Sequence, residues 1–146
     1  IEDVDVSILI GPDPASPGNF NPHDLVIGLQ HEGVDVQLTP DGLGRQSAVF
    51  DATFDDESPE LFPILGDIFG VFQPTGMLSA FDGLDVFGTW TLSILDPFVP
   101  GEGANLVAWS LQVQHAPLPG SAALVLLALC GLVAARRDRP ALAARQ

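Results

Sequence analysis

Apolar and polar residues alternate with a period of two in five short stretches of this chain, and turn formers stand between them. In VDVSILI, Val4, Val6, Ile8 and Ile10 share one face while Asp5 and Ser7 lie among the alternates; Leu9 breaks the pattern. Leu25, Ile27 and Leu29 line up in DLVIGLQ, and Val34, Val36 and Leu38 do so in VDVQL. Farther on, Trp90, Leu92 and Ile94 align in WTLSI, and Trp109, Leu111 and Val113 in WSLQV. A strand sends successive side chains to opposite faces, so this spacing predicts strands with one face in a core and the other in water. The intervening GPDPASPGN, HEG, TPDGLG and DPFVPGEGAN are rich in residues that reverse a chain. No convincing helical period precedes residue 117. The expected fold is all-β, a β-sandwich of jelly-roll type over residues 1–115. Val4, Val6, Ile8, Ile27, Val36, Leu92, Trp109 and Leu111 are expected in its core.

The segment from Asp51 to Gly88 is less regular, with frequent proline and glycine and six aromatic rings: Phe54, Phe62, Phe69, Phe72, Phe81 and Phe87. It reads as long loops folded over the sheet edges, with the rings plugging the ends of the core or, in a sharper reading, contacting a ligand. Trp90 and Trp109 carry the same pair of readings, packing beneath the sheets or stacking on carbohydrate.

Charge separates the chain into two parts. Residues 1–115 hold 18 Asp and Glu against the single Arg45, a formal −17; residues 116–146 hold four arginines against Asp138, a formal +3. There is no lysine. A domain so acidic repels nucleic acid and anionic headgroups and attracts cations, so no nucleic-acid partner is expected. The sole cysteine, Cys130, excludes an intrachain disulfide. It reads either as a small apolar residue or as a site for a thioester-linked lipid.

Nucleophilic catalysis needs Ser, His and Asp within hydrogen-bond reach of one another, and no Gly-x-Ser-x-Gly elbow is present. His23, His31 and His115 sit in turns or at a strand end and are expected at the surface; a zinc site built from them would need a convergence that spacing does not suggest. The chemical candidate is the run Asp55, Asp56 and Glu57, with Asp51 and Glu60 nearby. Calcium takes six to eight hard oxygen ligands, and a loop with adjacent carboxylates suits it. The alternative is a solvated acidic loop in which Asp55 caps a turn. Asp96 and Glu102 form a second acidic grouping beside the last strand turn. A carboxylate pair for glycoside hydrolysis lacks a recognisable sugar cleft.

The order of DVDVSILI, HDLVIGLQHEGVDVQL, TFDDE, FGVFQPTGMLSAFDGLDVFGTWTLSILD and GEGANLVAWSLQV resembles the P domain, or Homo B domain, of kexin- and furin-like subtilases, also found on many exported bacterial proteins. The resemblance covers residues 1–114 and rests on Asp24-Leu25, Phe54 through Glu57, Leu78 through Phe81, Gly88-Thr89-Trp90 and Trp109-Ser110-Leu111. His31-Glu32 stands where relatives have Ser-Pro, Ile68 where they have proline, and Glu102 where they have aspartate. The resemblance implies a galactose-binding-like jelly roll that is itself noncatalytic, packs against a subtilase catalytic domain and supports its folding, stability and substrate preference. It also raises calcium as a cofactor. The family has a strand before DVDV, so the N-terminal edge of the module is expected to lie outside this chain, which opens at Ile1.

PLPGSAALVLLALCGLVAARR, from Pro117 to Arg137, is similar to PEP-CTERM sorting signals: a proline box (Pro117, Leu118, Pro119), an apolar run from Gly120 to Ala135 and the pair Arg136 and Arg137. Sixteen residues of helix reach roughly 24 Å, short of a hydrocarbon core about 30 Å thick. The resemblance implies a transient inner-membrane anchor, with the arginines retained on the cytoplasmic side. An exosortase-type enzyme would then cut near the proline box and pass the domain to the cell surface or matrix. A permanent single-span anchor is the other reading. Two functions remain open: a surface or matrix protein, or the C-terminal end of an exported protease.

Overall fold

Val4, Val6, Ile8 and Ile10 alternate along β1 (Asp3–Pro12) and are each no more than 2% exposed, and the first sheet is built around that strand. The computed structural model describes residues 1–15, 20–42, 49–97 and 103–115. Within them, β1 pairs antiparallel with β4 (Phe50–Phe54) on one side and with β7 (Ala104–Gln114) on the other. Beyond β4 lies β5 (Ile68–Phe72), parallel to it, so the sheet order is β5-β4-β1-β7. The second sheet is antiparallel with the order β3-β2-β6, from β2 (Val26–His31), β3 (Val34–Gln37) and β6 (Trp90–Leu95). Two short 3₁₀ turns, Pro22–Asp24 and Leu78–Phe81, are the only helical elements among the described residues. The all-β expectation holds as two sheets sharing one core. Ile27, Leu29 and Val36 of the second sheet, with Leu38 just past β3, join Val6, Ile8, Phe50 and Phe54 of the first in a single buried cluster. Each such side chain contributes about 1.5–3 kcal/mol by leaving water.

The β2–β3 hairpin turns on two residues. Glu32 (φ 49°) and Gly33 (φ 83°) both occupy the left-handed region, and His31 pairs with Val34 across them. This is the geometry of a type I′ turn, whose twist matches that of the strands. Glycine adopts it freely, whereas Glu32 does so against its Cβ.

The segment from Asp51 to Gly88 is not a set of loops. Phe50, Ala52 and Phe54 alternate inward on β4 at 0–1% exposure, and β5 supplies the sheet's edge. Three apolar residues spaced by Asp51 and Thr53 made a strand too short to stand out among aromatics, glycines and prolines. The rings divide accordingly. Phe54 and Phe81 are fully buried, and Phe62 lies 5.8–6.2 Å from the rings of Phe50, Phe54 and Phe72, closing that end of the core. Phe69 and Phe87 do not plug anything: they are 72% and 81% exposed, Phe69 because it points outward from β5.

The opposite edge also departs from expectation. Trp109 pairs with Ile8 and shares its inward face, yet is 37% exposed; Leu92 and Leu111 are only half-buried. The second sheet ends at β6 and the first at β7, and the inward residues of these edge strands, Trp90, Leu92, Ile94, Leu111 and Val113, are only partly buried against the core. Ile94 of β6 and Ala104 and Leu106 of β7 line an open cavity of about 330 Å³ together with Ile10, Leu25 and Asp96. No residue of β6 or β7 is charged.

The chain divides into two units, Ile1–His115 and Ala116–Gln146. The expectations for Pro117, Leu118, Pro119, the Gly120–Ala135 helix, Cys130, Arg136 and Arg137 all fall outside the described residues. No helix among the described residues is long and apolar enough to cross a membrane.

Candidate functional site

The acidic run after β4 turns back on the backbone. Asp55 Oδ1 accepts the N–H of Glu57 at 2.7 Å, closing an Asx turn. Asp56 faces another way. Its two carboxylate oxygens accept the N–H groups of Leu78 at 2.9 Å and Ser79 at 2.8 Å, capping the 3₁₀ turn Leu78–Phe81. Gln73 Nε2 reinforces the corner by donating to the Asp56 carbonyl at 3.2 Å. Asp56 is thus committed to peptide N–H groups 22 residues away, while Glu57 and Glu60 lie at the surface. Asp51 is exposed on the outer face of β4, opposite Leu9. Glu102 lies outside the described residues.

The true electrostatic neighbours of this loop come from β1. Asp5 is pushed above the ordinary carboxylate range by burial first, then by the charges of Asp3 and Asp55. Glu57 is raised chiefly by its hydrogen bond to the Asp55 carboxylate, with Asp3 and Asp55 adding like charge. The antiparallel register that sets Val6 against Phe54 brings these ends together. Among the described residues, no three His, Cys, Asp or Glu side chains are arranged to hold a metal ion.

Two of the three histidines are not surface residues. His31 is fully buried: its Nδ1 is 3.2 Å from the Thr89 carbonyl oxygen and its Nε2 2.6 Å from that of Asp85. Its ring stacks on Trp90 at 3.9 Å and meets Phe81 edge-on at 6.4 Å. Gly88 has φ 134°, and a Cβ there would stand 3.2 Å from His31 Cε1, so Gly88-Thr89-Trp90 forms the seat of this imidazole. Trp90 is accordingly a packing residue, half-buried. His23 is 2% exposed, with Nε2 2.8 Å from the Gly66 carbonyl and its ring edge against Phe62. His115, after the last strand, is exposed. Both buried rings are held by aromatic partners and carbonyls distant in sequence, a contact that local polarity does not announce.

Sequence reasoning passed over the turn just before β2. Asn21 Nδ2 donates to Asp24 Oδ2 at 2.5 Å, and the Asp24 N–H reaches back to the Asn21 carbonyl at 3.1 Å. Asp24 is 5% exposed. Yet Asn21 Oδ1, His23 Nδ1 and Asp24 Oδ1 are all buried with no hydrogen-bond partner. Native proteins leave few such groups unsatisfied, and a buried carboxylate oxygen is among the costliest. The described residues include no Lys or Arg to answer it. The only available signal was the motif residue Asp24 in front of an apolar strand.

No family model, no curated protein and no solved structure matches this chain.

Proposed function

We propose that residues 1–115 are a noncatalytic P-domain (Homo B) module of jelly-roll type on an exported bacterial protein, with a stabilising or interaction role. The following tail is a PEP-CTERM-type signal that carries the protein through the inner membrane to the cell surface or matrix. The observation that carries the module is the meeting of its separated motifs. Asp56, from Phe54 through Glu57, caps Leu78 through Phe81, and Gly88-Thr89-Trp90 encloses His31 beside Phe81. Residues that matter only as a list in the sequence become one connected corner of the fold. For the tail, support comes from its composition: a proline box, an uncharged apolar run and an arginine pair behind a domain of formal charge −17. Proline at Pro117 and Pro119 disfavours helix there, keeping the box extended for an exosortase-type enzyme.

Expression in an exosortase-bearing host tests the tail. Protein recovered outside the cell should lack residues 121–146. Deleting the exosortase, or replacing Pro117 and Pro119 by alanine, should hold the full-length form in the membrane fraction. Intact C-terminal peptides on released protein would refute the sorting reading, and retention in the unmodified host would favour a permanent anchor.

A second reading, the C-terminal part of a secreted subtilisin-like serine endopeptidase, is favoured by the mouth between β6 and β7. Uncharged edge strands with half-exposed inward residues offer apolar surface on which an adjoining catalytic domain would pack. The reading frame upstream of Ile1 separates the two: a subtilase catalytic domain there would support the second.

A further inference from the structure

The buried turn at Asn21–Asp24 is short of positive charge in a specific way. His23 Nε2 faces a carbonyl oxygen, which only accepts, so Nε2 carries a proton. Of the three unpartnered buried atoms at this turn, Asn21 Oδ1 and Asp24 Oδ1 are acceptors by type, and His23 Nδ1 is the third. A water could donate to either oxygen, but a cation answers both and the carboxylate charge as well, with no Lys or Arg among the described residues to do so.

We infer that Asn21 and Asp24 bind a calcium ion, through Asn21 Oδ1 and Asp24 Oδ1. The Nδ2–Oδ2 hydrogen bond ties the two side chains together across a single closed turn, so the two groups that carry the free oxygens are in direct contact. An amide oxygen and a carboxylate oxygen are hard ligands of the kind calcium takes, with loop carbonyls and water completing its six to eight positions. Magnesium demands stricter octahedral geometry and gives up water reluctantly. Zinc would lean on nitrogen or sulfur, leaving His23 as its anchor. The surrounding domain, at formal −17, concentrates divalent cations in its neighbourhood. This site is distinct from the acidic run Asp55–Glu57, where Asp56 is already spent on Leu78 and Ser79. It is also independent of how the tail is processed.

Thermal unfolding of the full chain, stripped with chelator and titrated with calcium or magnesium at matched ionic strength, tests the assignment. Calcium should raise Tm by a few degrees at millimolar concentration, the range of weak extracellular sites, and magnesium should do markedly less. Asp24→Asn keeps the shape and the Asn21 bond but should abolish the calcium shift. Asn21→Asp replaces the Nδ2 donor by a second carboxylate, so it should lower Tm without metal and enlarge the calcium shift. Those opposite signs keep the test decisive even if Asp24→Asn folds poorly. Asp55→Asn should leave the shift intact. Equal responses to both ions would reduce the effect to screening and overturn the proposal. So would a shift lost in Asp55→Asn but kept in Asp24→Asn, or a zinc-specific response lost in His23→Gln.

Discussion

The imidazole of His31 lies flat on the indole of Trp90, 3.9 Å between ring centroids and 2° from parallel. The two residues are directly paired across β2 and β6, and the ring nitrogens of His31 reach two carbonyls of the loop that leads into β6. One side chain thus anchors the Asp85–Thr89 segment to the second sheet. His31→Leu keeps apolar bulk but removes both polar contacts and the stacking partner. It should cost about 2–4 kcal/mol of stability in a denaturant titration, with a change in indole emission. A loss within about 0.5 kcal/mol, the scatter of inconsequential surface changes, would show the contact to be incidental.

Glu32 is strained where its neighbour is not. At φ 49° in a two-residue hairpin turn it occupies the position that asparagine favours in front of glycine. Glu32→Asn should therefore stabilise the domain, by about 0.5–1 kcal/mol given what compatible turn substitutions yield. Gly33→Ala, at φ 83°, should destabilise it. If neither variant moves the unfolding midpoint, the turn is not built as described.

Asp56 and Asp55 are adjacent in sequence and unequal in consequence. Asp56→Ala strips the cap from Leu78 and Ser79 and should cost about 1–2 kcal/mol, whether or not calcium is present. Asp55→Ala breaks only a local turn and should cost less. Equal losses, or a loss at Asp56 that appears only with calcium, would favour a metal-binding role for the acidic run.

Asp5 and Glu57 make stability depend on pH in an unusual direction. Both hold their proton more tightly in the folded domain than in the open chain, Asp5 through burial and like charge, Glu57 through its bond to Asp55. The folded state then carries more protons than the unfolded state between the ordinary carboxylate value and the raised one, and stability falls as pH rises through that window. Their contribution is most favourable below the ordinary value and is lost above the raised one. Acidifying from neutrality toward the carboxylate range should thus raise Tm more for the natural sequence than for an Asp5→Asn, Glu57→Gln variant. At pH 7 that variant should be the more stable of the two. A wild-type Tm that drops in parallel with the variant's on mild acidification would contradict this.

Much of the sheet was legible along the chain. The alternations in β1 and β2 carried their own evidence of a buried face, because a period of two needs no information from elsewhere. Val4, Val6, Ile8, Ile27 and Val36 are buried as that period required. The short FDATF run of β4 was harder to see, since three apolar positions between aromatics and glycines resemble loop composition. The acidic run drew notice for its charge, and the turn at Asn21–Asp24 did not, because a carboxylate's partners cannot be read from its neighbours.

By itself the sequence determined which faces of the strands are apolar, where the chain reverses, and how charge divides at residue 116, since all three follow from local order and composition. The tertiary structure alone decided what covers each face. It buried Ile8 at 1% and left its cross-strand partner Trp109 at 37% exposure, because β1 has neighbours on both sides and β7 ends its sheet. It also decided that His31 is interior and Asp56 a cap, through bonds that span 54 and 22 residues. A side chain's type sets what it can bond to. Only the packed chain sets which donor, acceptor or ring arrives within reach.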